Sequence, residues 1–207
     1  MAYTPSGLWV LDLRPQSNEE QMLTREMKNY LRTMNNIYKK NIAVQGPSGS
    51  GKTLLAESLG RFKTRTLNLS KEIPKDFDSI HKNNEILILK RIDEAPDKFL
   101  KKMSNYSKYN SVFVTSRNTD YFTKPYFDNF AKISIETMLP KSNRSFDALE
   151  KYLVNILKVK NISFDAKDEQ FQISIKELFE KLWPNLRQII RQLQLRTKTG
   201  QWVSIPL

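Results

Sequence analysis

The residues Gly46-Pro47-Ser48-Gly49-Ser50-Gly51-Lys52-Thr53 have the types and the spacing to hold phosphate. They fit the pattern G-x-x-x-x-G-K-[ST]. Glycines let the backbone wrap closely around an anion, N–H groups at the start of a following helix face it, and the helix dipole adds to the attraction. Lys52 is expected to reach the β- and γ-phosphates of a nucleotide, and Thr53 to ligate Mg²⁺.

Hydrolysis at such a loop also needs an acid at the end of a neighbouring strand, often with a second carboxylate to orient or deprotonate water. Asp93-Glu94 is the candidate pair, following the apolar run Ile86-Leu87-Ile88-Leu89. Lys90 and Arg91 interrupt that run, so either the strand ends at Leu89 or the basic pair points outward. The plainer reading of Asp93-Glu94 is an acid pair opening a helix before Pro96, where the helix dipole favours acids. The polar cluster Thr115-Ser116-Arg117-Asn118 closes another apolar run and is placed to touch a γ-phosphate or the attacking water. Arg187, in Trp183-Pro184-Asn185-Leu186-Arg187, stands in the first turns of a late helix, either folding onto phosphate or remaining an ordinary surface arginine.

The elements that must position these groups are legible from periodicity. Ile42 to Val44 reads as a buried strand leading into the loop, and Thr53 to Phe62 as the helix leaving it. Further strands are expected at Thr66 to Leu69, Ile86 to Leu89, Val112 to Thr115 and Ala131 to Ile135, with helices over Asn18 to Lys39 and Pro96 to Tyr109. Strands alternating with helices make an α/β fold with a parallel sheet. After Leu139-Pro140 only helical spacing remains, at Phe146, Leu149, Leu153 and Ile156, at Leu178, Phe179 and Leu182, and at Leu186, Ile189, Ile190 and Leu193. The expected organisation is a phosphate-loop base over 1–138 and a helical domain over 139–207.

Composition narrows the classes. In 207 residues, 34 Lys plus Arg against 22 Asp plus Glu leave a formal charge of +12, which favours polyanionic partners such as DNA. Plain solubility is the competing explanation. With 39% hydrophobic and 11% aromatic residues the chain is not disordered, and no apolar run approaches the length of a membrane span. Met1 to Arg14 has no basic start followed by an apolar block, so a cytoplasmic location is expected. Zero cysteines exclude disulfides and thiolate chemistry, and the single His81 reads as a surface loop residue.

The order of these parts resembles the AAA+ ATPases: phosphate loop, apolar strand with Asp93-Glu94, strand ending in Thr-Ser-x-Asn, then a helical lid with an Asn-Leu-Arg turn. Within that superfamily, several segments are similar to the small ATPase subunits of sliding-clamp loaders, phage ones in particular. Leu8-Trp9 with Leu13-Arg14-Pro15 resembles the family's N-terminal W…(K/Y)RP signature, Asp12-Leu13 replacing Lys-Tyr. Ser111 to Pro125 resembles its strand and first sensor, and Phe179 to Gly200 its lid helix.

The resemblance implies that residues 46–53 bind ATP, with Lys52 on phosphate and Thr53 on Mg²⁺. It further implies that Asp93 holds Mg²⁺, Glu94 is the catalytic base, Asn118 acts near the γ-phosphate, Arg187 senses nucleotide from the lid, and Arg14 and Pro15 lie near the adenine. Three departures stand out. Asp128-Asn129-Phe130 replaces the Ser-Arg-Cys whose arginine completes a neighbour's site, a charge worth about a thousandfold or more in rate. Arg117 falls at the first sensor, with Asn118 one residue later. No helical collar follows the lid.

The leading expectation is therefore an ATPase of DNA replication, clamp-loader-like, that assembles a partner protein on DNA, as a homo- or hetero-oligomer with other replication proteins and without a membrane. Its place would be the nucleoid, or the host cytoplasm for a phage protein. A helicase loader or regulatory adaptor with little or no hydrolysis is the alternative, since those short proteins consist of base plus lid. A small-molecule P-loop kinase is the third, although Arg187, Arg191 and Arg196 only loosely supply the arginine-rich closing loop it would want.

Overall fold

Five short strands each end in a polar or charged residue: β1 Asn41–Gln45, β2 Thr64–Asn68, β3 Ile86–Lys90, β4 Val112–Ser116 and β5 Phe130–Ser134; all but β2, which is mostly polar, are mainly apolar. In the computed structural model, which describes residues 8–12, 41–59, 64–75, 77, 80, 85–118 and 120–199, they form one sheet. Its order is β2-β3-β4-β1-β5, and every neighbouring pair is parallel. The expected α/β class with a parallel sheet is what the chain adopts. The helix expected over Asn18 to Lys39, as well as Arg14, Pro15 and His81, lies outside the described residues.

Helices cover both faces, which is why β1, β3 and β4 read as nearly continuous apolar runs. Lys52–Leu59 (α2, after the short α1 at Trp9–Asp12) follows β1, and Asp97–Tyr106 (α3) joins β3 to β4. On the α3 side, Ala43, Leu87, Leu89, Val112 and Val114 pack with Phe99, Leu100 and Met103, and with Tyr121, Phe122, Phe127 and Phe130. The last four meet largely edge-on, at 5.0 to 6.3 Å between ring centres, a favoured aromatic arrangement. Alternation along the strands sends Ile42, Val44, Ile88 and Phe113 to the opposite, α2 side. One buried polar residue keys the sheet: the Asn41 amide donates to Ser107 O at 2.8 Å while its oxygen accepts from Val112 N at 2.9 Å.

The boundaries differ from the sequence reading by one to three residues, the helix expected over Pro96 to Tyr109 ending at Tyr106. Leu69 leaves β2, its N–H still donating to Lys90 O at 3.1 Å. Ile135 leaves β5 and opens a short helix, Ile135–Met138 (α4). The difference at β3 matters more. The strand does not stop at Leu89; Lys90 is its last residue, paired with Asn68 and Thr115.

Among the described residues, 41–138 form one compact unit, and 8–12 with 139–199 another. The second is helical: α5 Asn143–Val159, α6 Glu169–Leu182 and α7 Leu186–Thr199. Ser142 caps α5 by accepting from Ser145 N, and Asp168 caps α6 by accepting from Gln170 N. Leu149, Leu153, Leu157, Phe171, Ile175, Leu178, Ile189 and Leu193 make its core. Trp9 belongs here, its backbone N–H donating to the buried Gln194 side chain at 3.1 Å. Among the described residues no helix is long and apolar enough to cross a membrane.

Candidate functional site

The loop Gly46 to Gly51 bridges the end of β1 and the start of α2. Its glycines are needed where they stand. Gly46 has φ +150°, and a Cβ there would lie 3.0 Å from Ile135 Cβ, so the loop passes against α4 too closely for a side chain. Gly51 has φ +90°, a conformation L side chains rarely adopt, yet a Cβ there would meet nothing within 4 Å. The space above Gly51 is open, at the point where the helix's first N–H groups collect.

Ser50 braces the loop through its hydroxyl, which donates to Pro47 O at 2.8 Å. The Lys52 ammonium folds back across it and donates to Gly46 O and Pro47 O, both at 2.6 Å. A charged donor held on two carbonyls is poised to exchange them for anionic oxygens, which bind it more strongly. Thr53 follows in the first turn of α2.

The acid pair lies just past the end of β3, in the turn that follows it. After Lys90 the chain turns through Arg91, in the left-handed region at φ 59° and ψ 49°, into a 3₁₀ turn over Ile92–Glu94. Asp93 Oδ1 accepts from the Arg117 backbone N–H at 3.4 Å, and Glu94 is ion-paired with Arg91. Asp93 also acts on Tyr121, which belongs to the core on the α3 side. Burial first, then the negative charge of Asp93 and Asp97, pushes the Tyr121 phenol up from 10.0 to about 12. Between those values the unfolded chain has lost a proton that the folded chain keeps, so stability falls as pH rises. Followed by ultraviolet absorbance, a tyrosine ionising near pH 12 in the wild type is expected to be missing from Tyr121→Phe.

Asn118 is exposed, and its side-chain oxygen accepts from Asp120 N at 2.9 Å, closing a local turn. Ser116 Oγ both accepts from Asn118 N and donates to Asn118 O, at 3.0 Å each. Asp93, Arg117 and Asn118 are thus brought together beyond the ends of β3 and β4. Arg187 is exposed in the first turn of α7, within the helical unit, where Asn185 caps the helix by accepting from Gln188 N at 3.2 Å.

The position at the end of β3 that faces α2 is filled by Lys90, whose Nζ lies 3.8 Å from Glu57 Oε1. Glu57 follows Thr53 by four residues, on the same face of α2. These residues suit an anion. They do not suit Mg²⁺: the place for its carboxylate ligand holds a cation, Asp93 is turned toward Arg117 and Tyr121, and Glu94 toward Arg91. The partnership of Lys90 and Glu57 was missed in the sequence, although continuing the alternation of Ile86-Leu87-Ile88-Leu89 by one residue puts Lys90 on the α2 side.

No family model and no curated protein sequence matches the chain. Solved structures do. AMPPCP-bound DnaA from Aquifex aeolicus has a TM-score of 0.60 at 16% identity, over 91% of this chain and 67% of that one. ORC1 from Aeropyrum pernix, in complex with DNA, has 0.59 at 13% over 95% and 66%. NtrX from Brucella abortus has 0.59 at 14% over 87% and 52%. The chain thus spans about half of NtrX and two thirds of the others. At these identities the likeness is one of fold alone: an α/β fold with a parallel sheet in the order β2-β3-β4-β1-β5 and a glycine-rich loop after β1.

Proposed function

We propose that this chain is an ATP-binding AAA+ protein of DNA replication, similar to clamp-loader subunits, that uses nucleotide to assemble a partner protein on DNA. The observation that carries the reading is the loop from Gly46 to Thr53, open above Gly51 and closed at its rim by Lys52. In this reading residues 41–138 are the base, with Arg14 and Pro15 against the adenine, and 139–207, together with 8–12, form the lid, from which Arg187 senses the bound nucleotide.

Binding, more than turnover, carries the work. Glu94 is held by Arg91, Lys90 ends β3, and Asp128-Asn129-Phe130 offers no arginine to a neighbour's site. This favours the regulatory or helicase-loader form of the reading, in which nucleotide sets the protein's shape. Asp93 and Glu94 remain the acids proposed for whatever hydrolysis occurs. Exposed Lys101, Lys102 and Lys108 are proposed contacts to DNA backbone.

The test is the oligomeric state with a non-hydrolysable ATP analogue and primed DNA. Nucleotide-dependent assembly on DNA, weakening steeply with salt, is expected. A monomer that ignores DNA would end the replication reading. Slow turnover, lowered further in Glu94→Gln, is expected alongside; turnover untouched by that change would remove Glu94 from the chemistry.

A further inference from the structure

The end of β3 carries a positive charge toward the helix that follows the phosphate loop. Lys90 is in register with Thr115 of β4, and Thr115 with Val44 of β1, two residues before Gly46. Leu87 and Leu89 are buried in the core on the α3 side, so Ile88 and Lys90 project to the α2 side. The ion pair with Glu57 agrees, at 3.8 Å. Thr53 lies one helical turn before Glu57, roughly 6 Å along the axis, within the sweep of a lysine's four-carbon stem. The Lys90 and Glu57 side chains are 30% and 24% exposed, and a pair so wet is easily exchanged for another anion.

A carboxylate in that place would attract a divalent cation; an ammonium repels one and attracts phosphate oxygens. We infer that the site binds the polyphosphate of a nucleoside triphosphate between two ammonium groups, Lys52 and Lys90, and takes the nucleotide without a divalent cation. This rests on the nucleotide-binding reading above. Free of metal, the polyphosphate keeps its full negative charge, which the two lysines, the loop N–H groups and the start of α2 together offset.

The experiment titrates a fluorescent ATP analogue into the full chain, once in EDTA and once in excess Mg²⁺, and reads the Kd. Wild type is expected to bind in EDTA within about threefold of its affinity in Mg²⁺, or more tightly. Lys90→Met should lose about tenfold or more in EDTA, and Lys90→Asp should bind better with Mg²⁺ than without. Glu57→Gln, which frees Lys90 and keeps its charge, should bind at least as tightly as wild type in EDTA. It also serves as the control should a Lys90 variant melt early. Wild-type binding about tenfold weaker in EDTA than in Mg²⁺, or a folded Lys90→Met with unchanged Kd in EDTA, overturns the inference and leaves the nucleotide reading intact. No saturable binding in either buffer overturns both.

Discussion

Lys52→Ala is expected to weaken ATP binding by about a hundredfold, the equivalent of roughly 2.7 kcal/mol, while the melting temperature stays near that of wild type. The Lys52 ammonium makes two short hydrogen bonds, to Gly46 O and Pro47 O, in a half-exposed loop. Without it those carbonyls take water, at a net cost of about 1 kcal/mol or less. Phosphate oxygens have more to lose, because each charge-assisted bond is worth about 1.5–3 kcal/mol. Isothermal titration with ATP, beside thermal unfolding of the same samples, separates the two effects. An unchanged affinity in the folded variant would mean that the loop does not hold phosphate through Lys52.

The second large effect belongs to the helical unit. Arg196 is buried on α7 and donates to Ser174 O at 3.1 Å, to Ser174 Oγ, and to Glu177 Oε2 at 2.9 Å. Glu177→Leu removes the counter-charge of that buried guanidinium. Because the Glu177 carboxylate is itself partly in water, the expected loss is about 1.5–3 kcal/mol, that of a hydrogen bond to a charged group and not that of a fully buried pair. Urea unfolding should register it as a lower midpoint. Adding Arg196→Met should return much of the loss, because an apolar pair of similar volume carries no desolvation cost.

The same carboxylate makes stability depend on pH. Hydrogen bonding to Lys181 first, then to Arg196, holds the Glu177 carboxyl below its ordinary 4.5, against the opposing effect of burial. The folded chain therefore resists a proton that the unfolded chain accepts. The contribution is present above pH 4.5 and is lost as pH falls through the folded value, so Glu177→Gln should flatten the acid side of the stability profile. An unaltered acid slope in Glu177→Gln would show that the pair does not act this way.

Much of this was legible residue by residue. Gly46 to Thr53 announced the tight loop between β1 and α2 because left-handed backbone turns demand glycine. The short apolar runs announced the sheet, because strands covered on both faces leave few polar positions. Apolar residues spaced at three and four announced α5 to α7, since one stripe of each helix must be buried. These are local constraints, and each is satisfied within a few residues of chain.

The sequence by itself determined a glycine-rich loop placed between a strand and a helix, a parallel sheet, and a helical unit after Leu139. What only the tertiary structure decided is which charges meet. Lys90 belongs to β3 because Asn68 and Thr115, from two other strands, pair with it; read along the chain alone, it interrupts an apolar run. Asp93 turns toward Arg117 and Tyr121 because Arg91 takes a left-handed conformation, and Asn118 spends its side-chain oxygen on its own turn. Hydrogen-bond register between strands and the direction of a single backbone turn are set by distant residues, and they decide whether the end of β3 turns an acid or a base toward α2.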